Sequence, residues 1–293
     1  MSNSVLTNTS ALQALQNLNK TNQRLADVQS RVNTGLKVQG AKDNAAVWAV
    51  AQNQRADSSA YEAVKTSLNR ATSIADVSLA AGQSISDLLV ELRAKATAAA
   101  DPSASDASRK AFDDEFQSLL TSLQSFADNA TFDGANILDG ASLPALQFLA
   151  NADASETITV NRQDFSLDGL GLILPARAAD PGPPVVTARP AGRPSLLTEE
   201  NAVEARAAIE LALSTVNAGL AELGAQAKQI ESHSIFVGKL MDALETGIGH
   251  LVDADLAKES ARLQALQVQQ QLGVQALSIA NQAPQAILSL FRS

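Results

Sequence analysis

The strongest constraint on the fold is a run of apolar residues at helical spacing in the C-terminal half of the chain. From Leu213 to Leu251 these residues follow one another at steps of three and four, with one gap at Ser234. Such spacing places them on one face of an α-helix, and a helix over about 199–250 would be roughly 75 Å long. A rod of this length is stable only against other helices, so the pattern predicts a packed helical rod. The residues that we expect to pack it are Leu213, Val216, Leu220, Leu223, Ile230, Val237, Leu244 and Ile248.

The C-terminal stretch carries a second apolar stripe that is out of phase with the first. It resumes at Val252, one residue off the earlier register, and a one-residue shift turns the apolar face of an α-helix by about 100°. The partner of the helix must therefore change near residue 250, where Gly247 and Gly249 would ease a bend. The apolar members of this stripe are Val252, Leu256, Leu263, Leu266, Leu277 and Ala280, and it is interrupted by Glu259, Gln270 and Gly273.

The N-terminal stretch, residues 1–50, predicts one amphipathic helix with a narrow apolar stripe. Its Lys and Arg residues outnumber its acidic ones, so this segment is positive within a chain of net charge −9. Gly35 and Gly40 then indicate a turn. A narrow stripe buries little between only two helices, so the two terminal helices should pair weakly in one chain and become stable when copies pack together. The stripe consists of Leu18, Leu25, Val28 and Val32.

The segment that follows predicts two further helices. Apolar residues at helical spacing indicate one helix over about 57–99 and another over about 105–129. Pro102 separates them, because a proline disfavours helical geometry in the residue before it. The second helix holds three of the few aromatic residues, including Phe126, more than any other predicted helix, so we expect the densest packing there.

A small β region is predicted after these helices. Asp-Gly pairs at 133–134 and 139–140 are strong turn signals, and the β-branched residues of 157–160 alternate as a strand does. We therefore expect β-structure within about 131–172. Residues 175–195 are rich in Pro and Gly and predict a surface loop.

The order of these elements is nearly palindromic: a terminal helix, further helices, a β excursion, a return helix and a terminal helix. It predicts a mainly α fold, a long antiparallel helical coiled-coil rod with paired terminal helices and a small β-hairpin region. Aromatic residues make up only 3% of the chain, which favours close packing of helices over a large aromatic core. Copies joined head to tail without closing a ring would build a helical filament.

Composition and motifs argue against several classes of function. A net charge of −9 is unsuited to nucleic acid, no apolar run is long enough to cross a bilayer, and the N-terminus lacks the pattern of a cleaved secretory signal. His233 and His250 lack the spacing of a zinc protease, and the acidic cluster 113–115 fits a solvated helix face. We therefore expect no catalytic, metal or cofactor site and no binding to membranes or nucleic acid.

Both ends and the middle of the chain resemble bacterial flagellin. The matching runs are TNTSALQALQNLNKTNQRLADVQSRVNTGLKV, AKDNAA at 41–46, TFDGANILDG at 131–140 and DADLAKESARLQALQVQQQLGVQALSIANQAPQAILSLFR. The resemblance implies a structural subunit of the flagellar filament, of the short alphaproteobacterial type, that serves swimming motility and is not an enzyme. The chain departs from the family at Asn33-Thr34-Gly35, where flagellins have Ser-Ser-Gly, and at Asp43-Asn44-Ala45-Ala46-Val47, where they have Asp-Asp-Ala-Ala-Gly.

The resemblance also implies two domains. Residues 1–42 and 251–293 would form an inner-tube domain. Residues 43–174, which include the β region, and the return helix 199–250 would form a rod domain, with 175–198 as a variable surface loop. The residues expected to mediate self-assembly are the two terminal stripes together with Ile287, Leu288 and Leu290.

The partners that the resemblance implies are those of a filament subunit. They are other copies of the chain, the flagellar export apparatus, a flagellin chaperone, the filament cap and the hook–filament junction proteins. The protein would be extracellular, in the bacterial flagellum, after export without a cleaved signal peptide. Ser and Thr residues around 142–195 are candidate acceptors for surface glycans, and no cofactor is implied.

The surface by which flagellins meet a Toll-like innate immune receptor has diverged. It usually includes Arg-Val-Arg-Glu-Leu, and the matching run here is Glu91-Leu92-Arg93-Ala94-Lys95. Glu91 reverses one charge and Ala94 removes another. Our hypothesis is that the chain is a poor agonist of that receptor.

Two other functions stay open from the sequence. A hook–filament junction protein shares flagellin-like ends, and a secreted coiled-coil adaptor or effector would use long helices without forming a filament. Polymerisation of purified monomer into tubes of uniform width distinguishes the filament subunit from both.

Overall fold

The computed structural model describes residues 8–140, 144–175 and 191–290, and of residues 283–290 it describes the helical backbone alone. The chain folds as two compact units: the terminal unit, drawn from the residues up to Ser58 and from Asp242 onward, and the central unit, Ser59–Met241. The elements in chain order are α1 (Thr9–Thr34), α2 (Ala45–Ala99), α3 (Asp106–Asn129), β1 (Thr131–Phe132), β2 (Ala135–Asn136), β3 (Leu146–Leu149), β4 (Thr157–Val160), α4 (Glu199–Val252) and α5 (Leu256–Leu290). The mainly α fold class is confirmed.

Each helix begins at a short polar residue that caps it. A side-chain oxygen of that residue accepts a hydrogen bond from the backbone N–H three residues further on, which satisfies one of the donors that a helix start leaves unpaired. Thr198 caps the long helix α4. The five capping residues are Asn8, Asn44, Ser105, Thr198 and Asp255.

The core of the central unit lies among α2, α3, α4 and the two hairpins. Arg93 Nε of α2 lies 3.6 Å from Glu210 Oε1 of α4, and Ser86 Oγ donates a 3.4 Å hydrogen bond to Asn217 Oδ1. Because residue numbers rise along α2 as they fall along α4, the two helices run antiparallel. Phe116 of α3 is fully buried in this core.

Both hairpins follow from local sequence. The turn between β1 and β2 places Asp133 at φ 50° and Gly134 at φ 73°, the positive values that a two-residue hairpin turn requires and that Asp-Gly supplies. Strand β4 pairs antiparallel with β3 over the four residues 157–160, as the alternation predicts. The named strands end there, twelve residues before the expected limit of 172.

Three expectations about the helices are wrong in detail. Helix α2 begins at Ala45, well before the expected residue 57, because its first turns are rich in Ala and carry little periodic signal. Helix α4 runs through Gly247 and Gly249 and ends at Val252, so the bend falls at 253–255 and not at the glycines. Phe126 of α3 is 41% exposed and lies outside the dense packing expected of it.

Candidate assembly surface

The terminal unit is built on an antiparallel pair of helices, α1 and α5. Asn8 Nδ2 donates a 2.7 Å hydrogen bond to the carbonyl of Ala280, and Gln270 Nε2 donates one of 2.8 Å to Asn22 Oδ1. On both helices, buried and half-buried residues recur at steps of three and four along the side that faces the other helix, as in a coiled coil. We call them the terminal seam: Ala11, Ala14, Leu18, Thr21, Leu25, Val28 and Val32 of α1, and Glu259, Leu263, Leu266, Gln270, Gly273, Leu277 and Ala280 of α5.

The terminal seam contains the three residues that interrupt the apolar stripe of the sequence. Glu259 is 6% exposed, and the Cβ that Gly273 lacks would lie 3.2 Å from Leu18 Cδ1. Leu256 was expected at an inner position, but it is the first residue of α5 and is 50% exposed. The seam therefore begins with a carboxylate and not with a leucine.

Val252 belongs to a separate small core where α4 ends. It is 2% exposed and clusters with Val38 and Ala51. Its carbonyl accepts a 2.7 Å hydrogen bond from the N–H of Lys37, and Gly35 at φ 73° makes the turn that ends α1. Only a residue without a Cβ adopts that angle at low cost, so this glycine directs the chain from the terminal seam to the small core.

Helix α5 carries a second stripe on the face turned away from α1. Each of its members lies two residues after a seam residue, a rotation of about 200°. Val268, Leu272 and Ile279 on this stripe are 56%, 58% and 69% exposed, and the sequence has no charged residue from 263 to 291. We call it the outer face of α5: Ala261, Ala265, Val268, Leu272, Gln275, Ile279 and Gln282.

The first turns of α1 also expose large apolar residues. Leu12 is 57% exposed and Leu15 is 43% exposed. Each follows a seam residue by one position, so neither is covered by α5. Both helices of the terminal unit thus expose apolar surface, α1 at Leu12 and Leu15 and α5 along its outer face.

The expected rod residues lie on the inner side of α4. Val216, Leu223, Ile230 and Val237 recur every seven residues and are at most 1% exposed. Four further buried residues precede them on α4 and were missed, because three of them are alanines whose periodic signal is weak. The expected rod residues that are half-buried are Leu213, Leu220, Leu244 and Ile248, and the missed residues are Ala202, Ala205, Ile209 and Ala212.

The residues that match the innate-receptor surface lie on α2. Glu91, Arg93 and Ala94 are exposed, and Arg93 is held toward α4 by its ion pair with Glu210. Lys95 forms an ion pair with Glu115 of α3, and the hydrogen bond that Lys95 donates to the Glu115 carboxylate raises the pKa of Lys95 above its usual value. Glu91 is therefore an exposed acid, and the basic residues Arg93 and Lys95 are already paired with acids of α4 and α3.

Chemistry-bearing clusters are scarce in the part of the chain that the structure describes. It holds no group of three or more His, Asp or Glu residues placed to bind a metal ion. The ring of His233 contacts the carbonyl of Ala150 at 2.6 Å, while His250 is exposed. Among the described helices none is long and apolar enough to cross a membrane.

Some expected residues lie outside the described part of the chain. The side chains of Ile287, Leu288 and Leu290 are among them, and so are residues 176–190 of the expected surface loop.

The comparisons with known proteins cover almost the whole chain. The family model for the bacterial flagellin N-terminal helical region matches residues 5–142, and that for the bacterial flagellin C-terminal helical region matches residues 207–291. The chain is 48% identical over 290 residues to flagellin FljM of Caulobacter vibrioides and 37% identical over 290 residues to a flagellin of Brucella melitensis, with 99% of each chain covered. The crystal structure of Bacillus cereus flagellin aligns with a TM-score of 0.47 at 19% identity, over 58% of this chain and 87% of that one.

Full-length similarity to flagellins does not favour a junction protein or a coiled-coil effector. Both family models and the alphaproteobacterial relatives agree with the resemblance found in the sequence. The chain belongs to the bacterial flagellin family, and it is a structural filament protein and not an enzyme.

Proposed function

We propose that the chain enters the flagellar filament through its terminal unit, with the outer face of α5 packing against terminal helices of neighbouring copies. The observation that carries the proposal is the two-faced pattern of α5. One face fills the terminal seam, and the opposite face leaves Val268, Leu272 and Ile279 more than half exposed. A helix that is apolar on two opposite faces requires more than one partner.

Burial of the outer face of α5 against a neighbouring copy would contribute enough free energy to stabilise the assembled state. Full burial of one Val, Leu or Ile contributes about 1.5–3 kcal/mol. Since these three side chains are already partly covered in the single chain, their burial by a neighbour contributes several kcal/mol in all, on the order of the stability of a small domain. The terminal seam alone is narrow, so the pair becomes fully stable only on assembly.

The expected domain layout fits this proposal. Residues 1–42 and 251–293 would form the inner tube, and 43–174 with 199–250 the surrounding rod, with 175–198 as a variable loop. Family membership and the location of the terminal seam support this layout. Surface glycans on the Ser and Thr residues around 142–195 belong to the same proposal.

Export and partners are proposed from family membership. The chain would leave the cell through the flagellar export apparatus without a cleaved signal peptide, bound beforehand by a flagellin chaperone. It would assemble between the hook–filament junction proteins and the filament cap. N-terminal sequencing of protein from native filaments tests the export route, and a new N-terminus beyond residue 2 would contradict it.

Seeded polymerisation of the purified full chain tests the assembly surface. We expect the wild-type chain to form long tubes of uniform width in electron micrographs. The triple variant Val268→Ser, Leu272→Gln, Ile279→Gln should stay monomeric while its helix content in circular dichroism stays near that of the wild type, because these residues are exposed in the single chain.

A matched control replaces polar residues on the same helix. Gln267 and Gln271 are exposed and lie off both stripes, so Gln267→Ser with Gln271→Ser should polymerise at the wild-type rate. Tubes formed by the triple variant would show that the outer face of α5 is not an assembly surface. Failure of the wild-type chain to polymerise would contradict the proposed function as a whole.

A further inference from the structure

The three residues that interrupt the apolar stripe of α5 all meet specific partners on α1. Glu259 Oε1 lies 3.9 Å from Arg31 Nη1, and Gln270 donates its 2.8 Å hydrogen bond to Asn22. The third, Gly273, faces Leu18. A stripe of apolar residues at even spacing pairs almost equally well in registers that differ by seven residues, whereas polar residues within it pair well in one register only.

The burial of Glu259 is costly and therefore needs an explanation other than stability. Its Oε1 accepts a 3.1 Å hydrogen bond from Arg262. Its Oε2 is buried and has no hydrogen-bond partner among the described residues. Replacing a buried charged group by an apolar one often leaves a protein equally stable, and the best attested role of such groups is to fix register.

We propose that Glu259, Gln270 and Gly273 together restrict α1 and α5 to a single antiparallel register. The inference rests on the proposed function for its consequence in the filament, but the register itself is a property of the single chain. A slip by one heptad would move α1 along α5 by about 10 Å. A copy in the wrong register would present its outer face at the wrong height to its neighbours.

Gln270 and Gly273 disfavour a slip in one direction. If α1 moved so that Glu259 met Arg24, which lies seven residues before Arg31, the carboxylate would still face a guanidinium. Gln270 would then lie opposite Leu15 and lose its amide partner. The same slip would place Gly273 against Ala11, so the space that admits Leu18 would be left unfilled.

Glu259 disfavours a slip in the other direction. Moving α1 by seven residues the opposite way would give Gln270 a new amide partner in Gln29, so this residue alone does not prevent it. Position 38, which would come opposite Glu259, lies beyond the end of α1 at Thr34, so Glu259 would lose Arg31. Glu259 would keep only Arg262 of its own helix, and burying a carboxylate with no partner on the facing helix is unfavourable. The two polar residues together therefore favour one register.

Disulfide reporters measure the register directly, since the chain has no cysteine of its own. From the observed pairs, Val28→Cys with Leu263→Cys faces across the seam in the native register, and Thr21→Cys with Leu263→Cys does so after the slip toward Arg24. In the native background we expect only the first pair to oxidise. Adding Gln270→Leu should raise cross-linking of the second pair roughly tenfold relative to the first.

The second arm tests Glu259. The pair Val32→Cys and Leu266→Cys would face across the seam after the opposite slip. It should form no disulfide in the native background and should form one once Glu259→Leu is added. The matched control is Gln271→Leu, which adds the same apolar bulk at an exposed position off the seam and should leave every reporter unchanged.

Each other outcome overturns the proposal. If the slip reporters do not oxidise with Gln270→Leu or Glu259→Leu, other contacts, such as the apolar residues of the seam or the small core at Val252, set the register. Loss of all cross-links would also contradict it, because the proposal requires the apolar positions to hold the helices together in any register. Seeded polymerisation of the wild-type chain tests the proposed function separately, so failure of one is distinguishable from failure of the other.

Discussion

The ring of Phe165 lies against the backbone of Gly219: a Cβ on that glycine would be 2.8 Å from Phe165 Cζ. Phe165 is fully buried, and a Cβ on Gly82 of α2 would lie 3.2 Å from its Cε2. Two glycines on facing helices thus make room for one aromatic ring from the segment after β4. This close approach anchors that segment to the rod helices.

Gly219→Ala is expected to destabilise the central unit. Overpacking of a filled core costs about 1–3 kcal/mol, which exceeds the gain of up to about 1 kcal/mol from the better helix propensity of Ala. Urea unfolding followed by circular dichroism measures the change. The control is Gly224→Ala on the same helix, where a Cβ would meet nothing within 4 Å, so the free energy of unfolding should rise by up to about 1 kcal/mol. Equal shifts in both variants would contradict the packing argument.

Asn136→Ala is expected to be among the more damaging single changes in the β region. Asn136 is 5% exposed. Its Nδ2 donates a 2.7 Å hydrogen bond to the carbonyl of Ala127, and its Oδ1 accepts one of 2.8 Å from the N–H of Leu138. Each buried group left unpaired costs about 1–3 kcal/mol.

Thermal unfolding checks this loss. The exposed Asn69→Ala on α2 serves as its control, with an expected change within about 0.5 kcal/mol. A shift at residue 136 no larger than that of the control would mean that the hydrogen bonds of Asn136 are not needed for stability.

Deletion of residues 252–293 is expected to abolish polymerisation and to leave the central unit folded. The deletion removes α5, the partner of α1 in the terminal seam. The large hydrophobic core of the central unit has no member beyond Met241, so its unfolding transition should persist within a few degrees. Electron microscopy and calorimetry give the two readouts, and tubes formed by the truncated chain would refute the assembly mechanism.

Weak activation of the flagellin-recognising innate receptor is expected from the exposed residues of α2. In a reporter-cell assay the chain should act far below the usual potency of flagellins, and Glu91→Arg with Ala94→Glu should increase activation by restoring the family's charges. The control, Gln83→Arg with Ala98→Glu, introduces the same charges at other exposed positions of α2 and should have no effect. Full potency of the unaltered chain would refute the hypothesis.

The elements of this protein are determined largely by its sequence. Apolar residues at steps of three and four predict the helices, because that spacing forms one face wherever the helix lies. Short polar residues such as Thr198, and the Asp-Gly of the first hairpin, act through bonds to their own neighbours. Local chemistry of this kind needs no tertiary contact and is therefore readable from the chain.

Only the tertiary structure decided which face of α5 its own chain covers. The sequence predicts the stripe that forms the terminal seam, but the outer face has the same spacing, and the spacing alone does not show that the outer face stays uncovered. In the sequence, Glu259, Gln270 and Gly273 only interrupt the apolar stripe, whereas in the structure they contact Arg31, Asn22 and Leu18. Those pairs join residues more than two hundred positions apart, and such pairings depend on how the two ends of the chain meet.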